Sequence, residues 1–182
     1  MGLKNTIDSY GSISKSFHWI MAFIIIANFI LGFFLDDIPV GPYKLLAFGI
    51  HKSTGILVLG AIILRIVWKG FNQTPMILSS NRAFVILAKS LHHLFYLMFF
   101  VIPVSGWAYS SAAGRAVNFY GLFTLPDLVE KNQEQAKLFD NIHVYSVYFF
   151  LGMLVIHIFA SLYHHFIQKD KTLRRMWFGN SN

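Results

Sequence analysis

The chain has 182 residues, of which 55% are hydrophobic and only 13% are charged, and its mean hydropathy is +0.55. A soluble domain of this size carries about a quarter charged residues, so the composition indicates a membrane protein surrounded by lipid, with one domain over residues 1–182. The chain has no cysteine, which excludes disulfides, thiolate metal sites and iron–sulfur clusters. Its formal charge of +7 does not indicate a nucleic-acid partner, and the sequence leaves the oligomeric state open.

Four apolar stretches are each long enough to cross a bilayer core of roughly 30 Å as a helix. They cover residues 17–35, 50–68, 91–110 and about 142–168, which predicts an all-α fold, a four-helix transmembrane bundle. The first stretch is too long for the apolar part of a signal peptide and lacks a small-residue cleavage site, so we expect it to be a retained span. Pro103 lies inside the third stretch and is expected to kink that helix, which neighbouring helices tolerate.

The charges in the connections predict how the bundle is oriented. The N-terminus, residues 65–89 and the C-terminus together carry ten Lys or Arg, whereas the other two connections carry five, along with six of the eight acids. The positive-inside rule therefore places both termini in the cytoplasm. The long connection at about 111–141 then lies outside, and its polar part, residues 125–141, is expected to include a short surface helix.

Four of the eight histidines form two predicted pairs. His143 and His157 are fourteen residues apart, close to four helical turns, so they share one helix face and lie roughly 21 Å apart along it. His51 begins the second span at the outer level of His143, and His18 begins the first span at the inner level of His157. Histidines from different helices that face a bundle core can hold a planar metal macrocycle by both axial positions. The sequence therefore predicts two haems, stacked across the bilayer, each bound by two histidines.

Other interpretations of buried histidines stay open at this point. A single intramembrane histidine can be a packed, hydrogen-bonded residue or part of a proton relay in a transporter without haem. Zinc is the rival metal, but it prefers about four tetrahedral ligands, often thiolates or carboxylates. Each predicted pair supplies two imidazoles and no acid in the same span.

The remaining candidate residues lie near the two ends of the spans. The other four histidines form two adjacent pairs, or doublets, on the inner side, His92–His93 and His164–His165. They are expected to contact haem propionates or a quinone head-group, to supply one ligand in place of His157, or simply to reach the interface. Arg65 can pair with a haem propionate or serve as an ordinary interfacial anchor. Cations of the outer connections can form a local approach to the outer haem; they are Lys52, Arg115, Lys131 and Lys137.

Along nearly its whole length the chain resembles the bacterial cytochrome b561 family, which are four-helix membrane proteins with two haems. The resembling segments are "SFHW", "HKSTGILVL", "HHLFYLMFFVIPVSGW", "NFYGLFTLP", "IHVYSVYFFLGMLVIHIFASLYHHF" and "KDKTLRRM", in that order. The haem ligands of the family match His18, His51, His143 and His157, the same four that the depth of the histidines selects.

The resemblance implies two haem b groups and a multi-pass location in the bacterial inner membrane. It further implies oxidation of superoxide at the outer face and delivery of the electron to ubiquinone in the membrane. The alternative is a non-catalytic haem subunit that carries electrons for another redox partner. Two imidazoles on each iron leave no open coordination position, which favours outer-sphere electron transfer in either case.

Overall fold

The computed structural model describes residues 2–78 and 81–179. Within these residues the chain folds into four long helices: α1 Ser12–Phe34, α2 Pro42–Gly70, α3 Arg82–Ala112 and α4 Gln133–Phe166. Each is long and apolar enough to cross a membrane, where a helix satisfies all its backbone polar groups within one segment. The prediction of an all-α, four-helix transmembrane bundle is confirmed, and the chain is a multi-pass membrane protein.

The helices extend beyond the apolar stretches that predicted them. α2 begins at Pro42, in the first helical turn where proline is tolerated, eight residues before its predicted span. Asn132 caps α4, because its side chain accepts hydrogen bonds from the backbone of Glu134 and Gln135, both at 3.0 Å. α3 continues as a helix through Pro103; the kink at this proline stays a prediction.

The prediction of a surface helix within residues 125–141 is wrong. The cap at Asn132 starts α4 directly, so the polar residues from Gln133 onward are its first turns. The regular structure that precedes them is a short hairpin of two strands, β1 Asn118–Phe119 and β2 Phe123–Thr124. Its turn contains Tyr120 (φ 49°) and Gly121 (φ 78°), and such left-handed pairs match the twist of a hairpin.

The hairpin is anchored on α2. The hydroxyl of Ser53, which is 1% exposed, donates to the carbonyl of Asn118 at 2.9 Å and accepts from the backbone N–H of Tyr120 at 3.0 Å. The Thr54 hydroxyl lies 2.8 Å from that of Tyr120. The hairpin therefore covers the bundle beside His51, and we call this side the hairpin end.

The first and last described segments, residues 2–11 and 167–179, lie at the opposite end, which we call the terminal end. The Lys15 ammonium, which is 2% exposed, donates to the carbonyl of Trp177 at 2.9 Å, and the Trp19 indole donates to the carbonyl of Met176 at 2.8 Å. Buried Arg175 donates to the carbonyl of Met76 at 2.7 Å. These bonds hold the C-terminal tail across α1 and the α2–α3 connection.

The helices pack mainly as neighbours in chain order, with the most extensive contact between α3 and α4. Two clusters form the core: Met21 with Val58 and Ile62, and Phe95 with Phe150 and Met153. Many large apolar side chains on the outside remain exposed, Phe23 at 75% among them. In a membrane these side chains face lipid.

Candidate functional site

Two layers of side chains cross the bundle, and on every helix the two layers are fourteen residues apart. The hairpin layer, toward the hairpin end, consists of Gly32, His51, Gly106 and His143. The terminal layer, toward the terminal end, consists of His18, Arg65, His92 and His157. Fourteen residues are close to four helical turns, about 21 Å, so each helix points the same face into both layers.

In the hairpin layer the rings of His51 and His143 face each other from α2 and α4. Their ring centres are 6.3 Å apart and their planes are at 84°. Imidazole nitrogens bind metal ions at about 2 Å, so two rings on opposite sides of one ion have centres roughly 6 Å apart. The separation therefore fits one metal ion between the two imidazoles.

Main-chain hydrogen bonds fix which nitrogen of each ring is available. The Nδ1 of His51 lies 3.2 Å from the carbonyl oxygen of Asn28, and the Nδ1 of His143 lies 2.8 Å from that of Ile102. A carbonyl can only accept, so both Nδ1 atoms carry the proton and both Nε2 atoms keep a free lone pair. This is the state in which a histidine binds a metal.

Two glycines make room for the same two rings. A Cβ atom at Gly32 would lie 2.8 Å from Cε1 of His51, and one at Gly106 would lie 3.0 Å from Cε1 of His143. A side chain at Gly32 would force the His51 ring to shift, and one at Gly106 would press tightly on the His143 ring. The α1 and α3 backbones thus form the walls against which the two rings rest.

The terminal layer brings three imidazoles together. The ring centre of His157 is 6.2 Å from that of His18, at 60°, and 6.1 Å from that of His92, at 73°. His18 and His157 are half-buried, whereas His92 is exposed and hydrogen-bonded to the backbone of Ala88. Both separations fit one metal ion between two rings, so distance alone does not choose the partner of His157.

Arg65 completes this layer from α2. Its guanidinium is close enough to interact electrostatically with His18, His92 and His157. A cation at this position can pair with a carboxylate of a bound group, and the pairing of Arg65 with a haem propionate stays a prediction.

The sequence allowed one histidine of the His92–His93 doublet to face this site but did not single out His92. His92 is fourteen residues before Gly106, and His157 is fourteen residues after His143. The signal was present in that shared spacing. His93 is exposed and makes no described contact with the three imidazoles.

An aromatic cluster separates the two layers. Phe150 lies seven residues from both His143 and His157, and its ring is stacked on Phe29 at 5.4 Å. Phe95 and Phe99 contact the ring of Phe150 at 5.2 and 5.5 Å. Since the four rings come from α1, α3 and α4, they fill the middle of the bundle with apolar surface.

The second doublet lies apart from the terminal layer, at the end of α4. The Nδ1 of His164 lies 2.5 Å from Oδ2 of Asp170, and Oδ1 of the same carboxylate accepts from the backbone N–H of Thr172 at 2.8 Å. His165 lines a cavity with Arg174, Trp177 and other tail residues. Its buried Nδ1 has no hydrogen-bond partner in the described part of the chain.

Three of the four predicted outer cations gather at the hairpin end. Lys52 is close enough to Arg115 for the two charges to interact. The aliphatic stem of Lys131 packs on Gly114, the residue before Arg115. A Cβ added at Gly114 would lie 3.0 Å from Cδ of Lys131. Lys137 is exposed on α4 and has no described contact with the other three.

The histidine pairs suit a metal held in a macrocycle better than a metal that needs four tetrahedral protein ligands. Among residues 2–78 and 81–179, no group of three or more His, Asp or Glu side chains is arranged to hold a metal ion. Zinc usually needs four such ligands. A haem supplies four equatorial nitrogens itself and asks the protein only for axial ligands, which is what a facing pair of imidazoles provides.

Comparisons with known proteins agree with this geometry. The family model of prokaryotic cytochrome b561 matches residues 9–179. Cytochrome b561 homolog 2 of Escherichia coli (strain K12) is 35% identical over 179 residues, which are 97% of this chain and 95% of the relative. Cytochrome b561 homolog 1 of the same strain is 33% identical over 127 residues, 69% of this chain and 72% of the relative.

A third relative carries a functional name. The probable superoxide oxidase CybB of Yersinia pestis is 31% identical over 131 residues, which are 70% of this chain and 72% of that protein. With four membrane-spanning helices, paired imidazoles and a family match over nearly the whole chain, the assignment is plain. The chain belongs to the prokaryotic cytochrome b561 family of haem b-containing membrane electron-transfer proteins.

Proposed function

We propose that the chain binds two haem b groups and transfers electrons across the bacterial inner membrane from superoxide to ubiquinone. His51 and His143 hold one haem in the hairpin layer, and His18 and His157 hold the other in the terminal layer. The observation that carries the proposal is the facing of two imidazoles at 6.2–6.3 Å at both levels. When bound, haem b supplies one-electron iron chemistry with no open coordination position.

The charge distribution supports an orientation. The N-terminal segment, residues 65–89 and the C-terminal segment together carry ten cationic residues, which by the positive-inside rule favours a cytoplasmic terminal end. The hairpin end then faces the periplasm. Lys52, Arg115 and Lys131 would attract an anion of the size of superoxide toward the hairpin-layer haem, and the hairpin would limit its approach to one side.

The terminal layer supplies groups that suit a quinone. His92 is exposed and lies against His157. Because its ring N–H is already bonded to the backbone of Ala88, its other nitrogen can accept a hydrogen bond from a quinol hydroxyl. Arg65 is placed to pair with a haem propionate. The overall reaction balances as two superoxide anions giving two dioxygen molecules, while one ubiquinone takes up two electrons and two protons to become ubiquinol.

Two measurements test the proposal in order. A reduced-minus-oxidised optical spectrum of the purified protein should show low-spin b-type bands, with two haems per chain by quantitative haem assay. The protein is then mixed with superoxide and a ubiquinone analogue, and quinol is followed. We expect turnover above the spontaneous rate and a slower rate at high ionic strength, because salt screens the cations.

A pair of variants sharpens the second measurement. Lys52→Gln should slow turnover with superoxide, whereas Lys137→Gln, an equal change of charge outside the cluster, should have a smaller effect. A colourless protein would refute haem binding. Two haems without superoxide-dependent quinol formation would leave the family's electron transfer in place and make the chain a carrier for another partner.

A further inference from the structure

The two layers differ in how their imidazoles are hydrogen-bonded. In the hairpin layer both rings donate from Nδ1 to main-chain carbonyls, of Asn28 at 3.2 Å and of Ile102 at 2.8 Å. In the terminal layer as described, neither His18 nor His157 has a hydrogen bond to its ring. The asymmetry is notable because the two pairs are otherwise alike, with ring separations of 6.3 and 6.2 Å.

Polar side chains adjust both hairpin-layer bonds. The amide of Asn28 donates to the backbone carbonyl of His51 at 3.3 Å, so this residue holds both the ring and the backbone of one histidine. The hydroxyl of Ser105 donates to the Ile102 carbonyl at 2.9 Å, and its oxygen lies 3.5 Å from Nδ1 of His143, where it can share the N–H that the carbonyl accepts. The side chains of Asn28 and Ser105 therefore support the two ring bonds.

A hydrogen bond from Nδ1 makes an imidazole a stronger electron donor to a metal. A stronger donor stabilises ferric over ferrous iron, because the ferric ion carries one more positive charge. A nearby fixed cation has the opposite effect, since it favours the reduced form. In the terminal layer Arg65 acts on His18 and His157, and both Arg65 and Lys69 act on His92. In the hairpin layer Lys52 near His51 and Asp140 near His143 have opposite signs.

We propose that Asn28 and Ser105 are positioning residues that, through these main-chain bonds, set the hairpin-layer haem at the lower midpoint potential of the two. The terminal layer, without such bonds in the described structure and with Arg65 beside it, holds the higher potential. A single electron in the protein then resides preferentially at the terminal layer. The inference rests on the proposed function, because it assumes a haem in each layer.

The test is a spectroelectrochemical titration of the purified holoprotein, which resolves two one-electron components. Asn28→Leu keeps the main-chain carbonyl that accepts from the His51 ring but removes the amide that ties it to the His51 backbone, and it should raise the lower component. Ser105→Ala removes the second acceptor beside Nδ1 of His143 and should also raise that component. Arg65→Met should lower the higher component and leave the lower one in place.

A matched control is available on the same helix. Ser111 is a buried serine whose hydroxyl donates to the carbonyl of Trp107 and accepts from the backbone N–H of Leu128, both at 3.1 Å, and it has no described contact with either imidazole pair. Ser111→Ala should leave both components unchanged. Ser105→Ala is the milder of the two hairpin-layer variants, since it removes one hydroxyl, and its result stands even if Asn28→Leu folds poorly.

The outcomes separate the two proposals. If the wild-type protein binds fewer than two haems, the proposed function fails and this inference fails with it. If it binds two, but Ser105→Ala or Asn28→Leu shifts the higher-potential component, only the inference is wrong. Equal shifts of Ser111→Ala and Ser105→Ala, or a lowered potential of the hairpin-layer component in Ser105→Ala or Asn28→Leu, would also overturn it.

Discussion

Gly106 on α3 lies directly against the imidazole of His143 on α4, so that a Cβ added to this glycine would lie only 3.0 Å from Cε1 of the ring. Gly32 has the same relation to His51, at 2.8 Å. Overpacking of such a contact costs about 1–3 kcal/mol and displaces side chains. Here the displaced side chain is the proposed ligand itself.

We therefore expect Gly106→Val and Gly32→Val each to lower the haem content from two toward one per chain. Gly49→Val in α2 is the matched control, because a Cβ at Gly49 has no atom within 4 Å. Quantitative haem assay on purified protein measures the effect. Full haem content in both variants would mean that the glycines have no part in holding the rings.

Single substitutions can test which histidine binds the same haem iron as His157. His157→Ala should remove the terminal-layer haem and leave the hairpin-layer one, and His18→Ala should do the same. His92→Ala should keep both haems and instead slow quinone reduction, because His92 is exposed beside the site rather than assigned to the iron. Haem content with electron paramagnetic resonance of the low-spin signals distinguishes these results. Loss of one haem in His92→Ala, but not in His18→Ala, would reassign the ligand.

The tail latch at the terminal end, formed by Arg175 and its acceptors, should contribute to stability. Arg175 is 7% exposed and donates to the carbonyls of Met76, at 2.7 Å, and Ile7, at 3.4 Å. Arg175→Met removes both hydrogen bonds, and hydrogen bonds to a charged group contribute about 1.5–3 kcal/mol. Thermal unfolding in detergent should show a lower midpoint, whereas Arg174→Met, at an exposed position, should not. Equal midpoints for the two variants would show that the latch adds no stability.

Asp170, also at the terminal end, is expected to make the thermal stability of the protein depend on pH. Burial alone would raise the pKa of Asp170, but hydrogen bonds from Thr172 and then from His164 outweigh it and hold the pKa below the ordinary value of 3.8. A carboxyl whose pKa is lowered by folding stabilises the protein above the ordinary pKa and loses this contribution as the pH falls through the lowered value. Asp170→Asn should therefore reduce the unfolding midpoint at neutral pH.

The difference between wild type and Asp170→Asn should shrink as the pH falls below about 4. Thermal unfolding measured across that range checks it, with Asp8→Asn, at an exposed position of the same end, as the control. A difference that stays constant with pH would show that the ionised form of Asp170 has no special role.

Much of the fold and of the site could be predicted from the sequence, because both depend on periodicity. The spacing of His143 and His157 placed two levels on one helix face, and the apolar stretches placed four spans. Contacts between helices could not be predicted in the same way. The contact of Gly106 with His143, and the hydrogen bond from His143 to the carbonyl of Ile102, depend on how α3 is rotated against α4. No repeat in the sequence encodes that rotation.

The hairpin was missed for a different reason. Tyr120 and Gly121 adopt left-handed conformations in the turn, and the flanking strands have only two residues each. Strands this short have no alternating pattern to detect. The hydroxyl of Ser53, not hydrophobic periodicity, holds them in place.

The ring of Phe150, midway between the two layers, has an electrical consequence. Residues 20–27, 55–64, 97–104 and 149–156, which surround it, contain no ionisable or hydrogen-bonding side chain. Electrons can tunnel through such a dry layer, whereas protons need a chain of polar groups or water. With the terminal end in the cytoplasm, as proposed, each electron that crosses makes that side more negative and works against a resting voltage at about 2.3 kcal/mol per 100 mV. The aromatic cluster would thus make the protein a generator of membrane voltage as well as a redox catalyst.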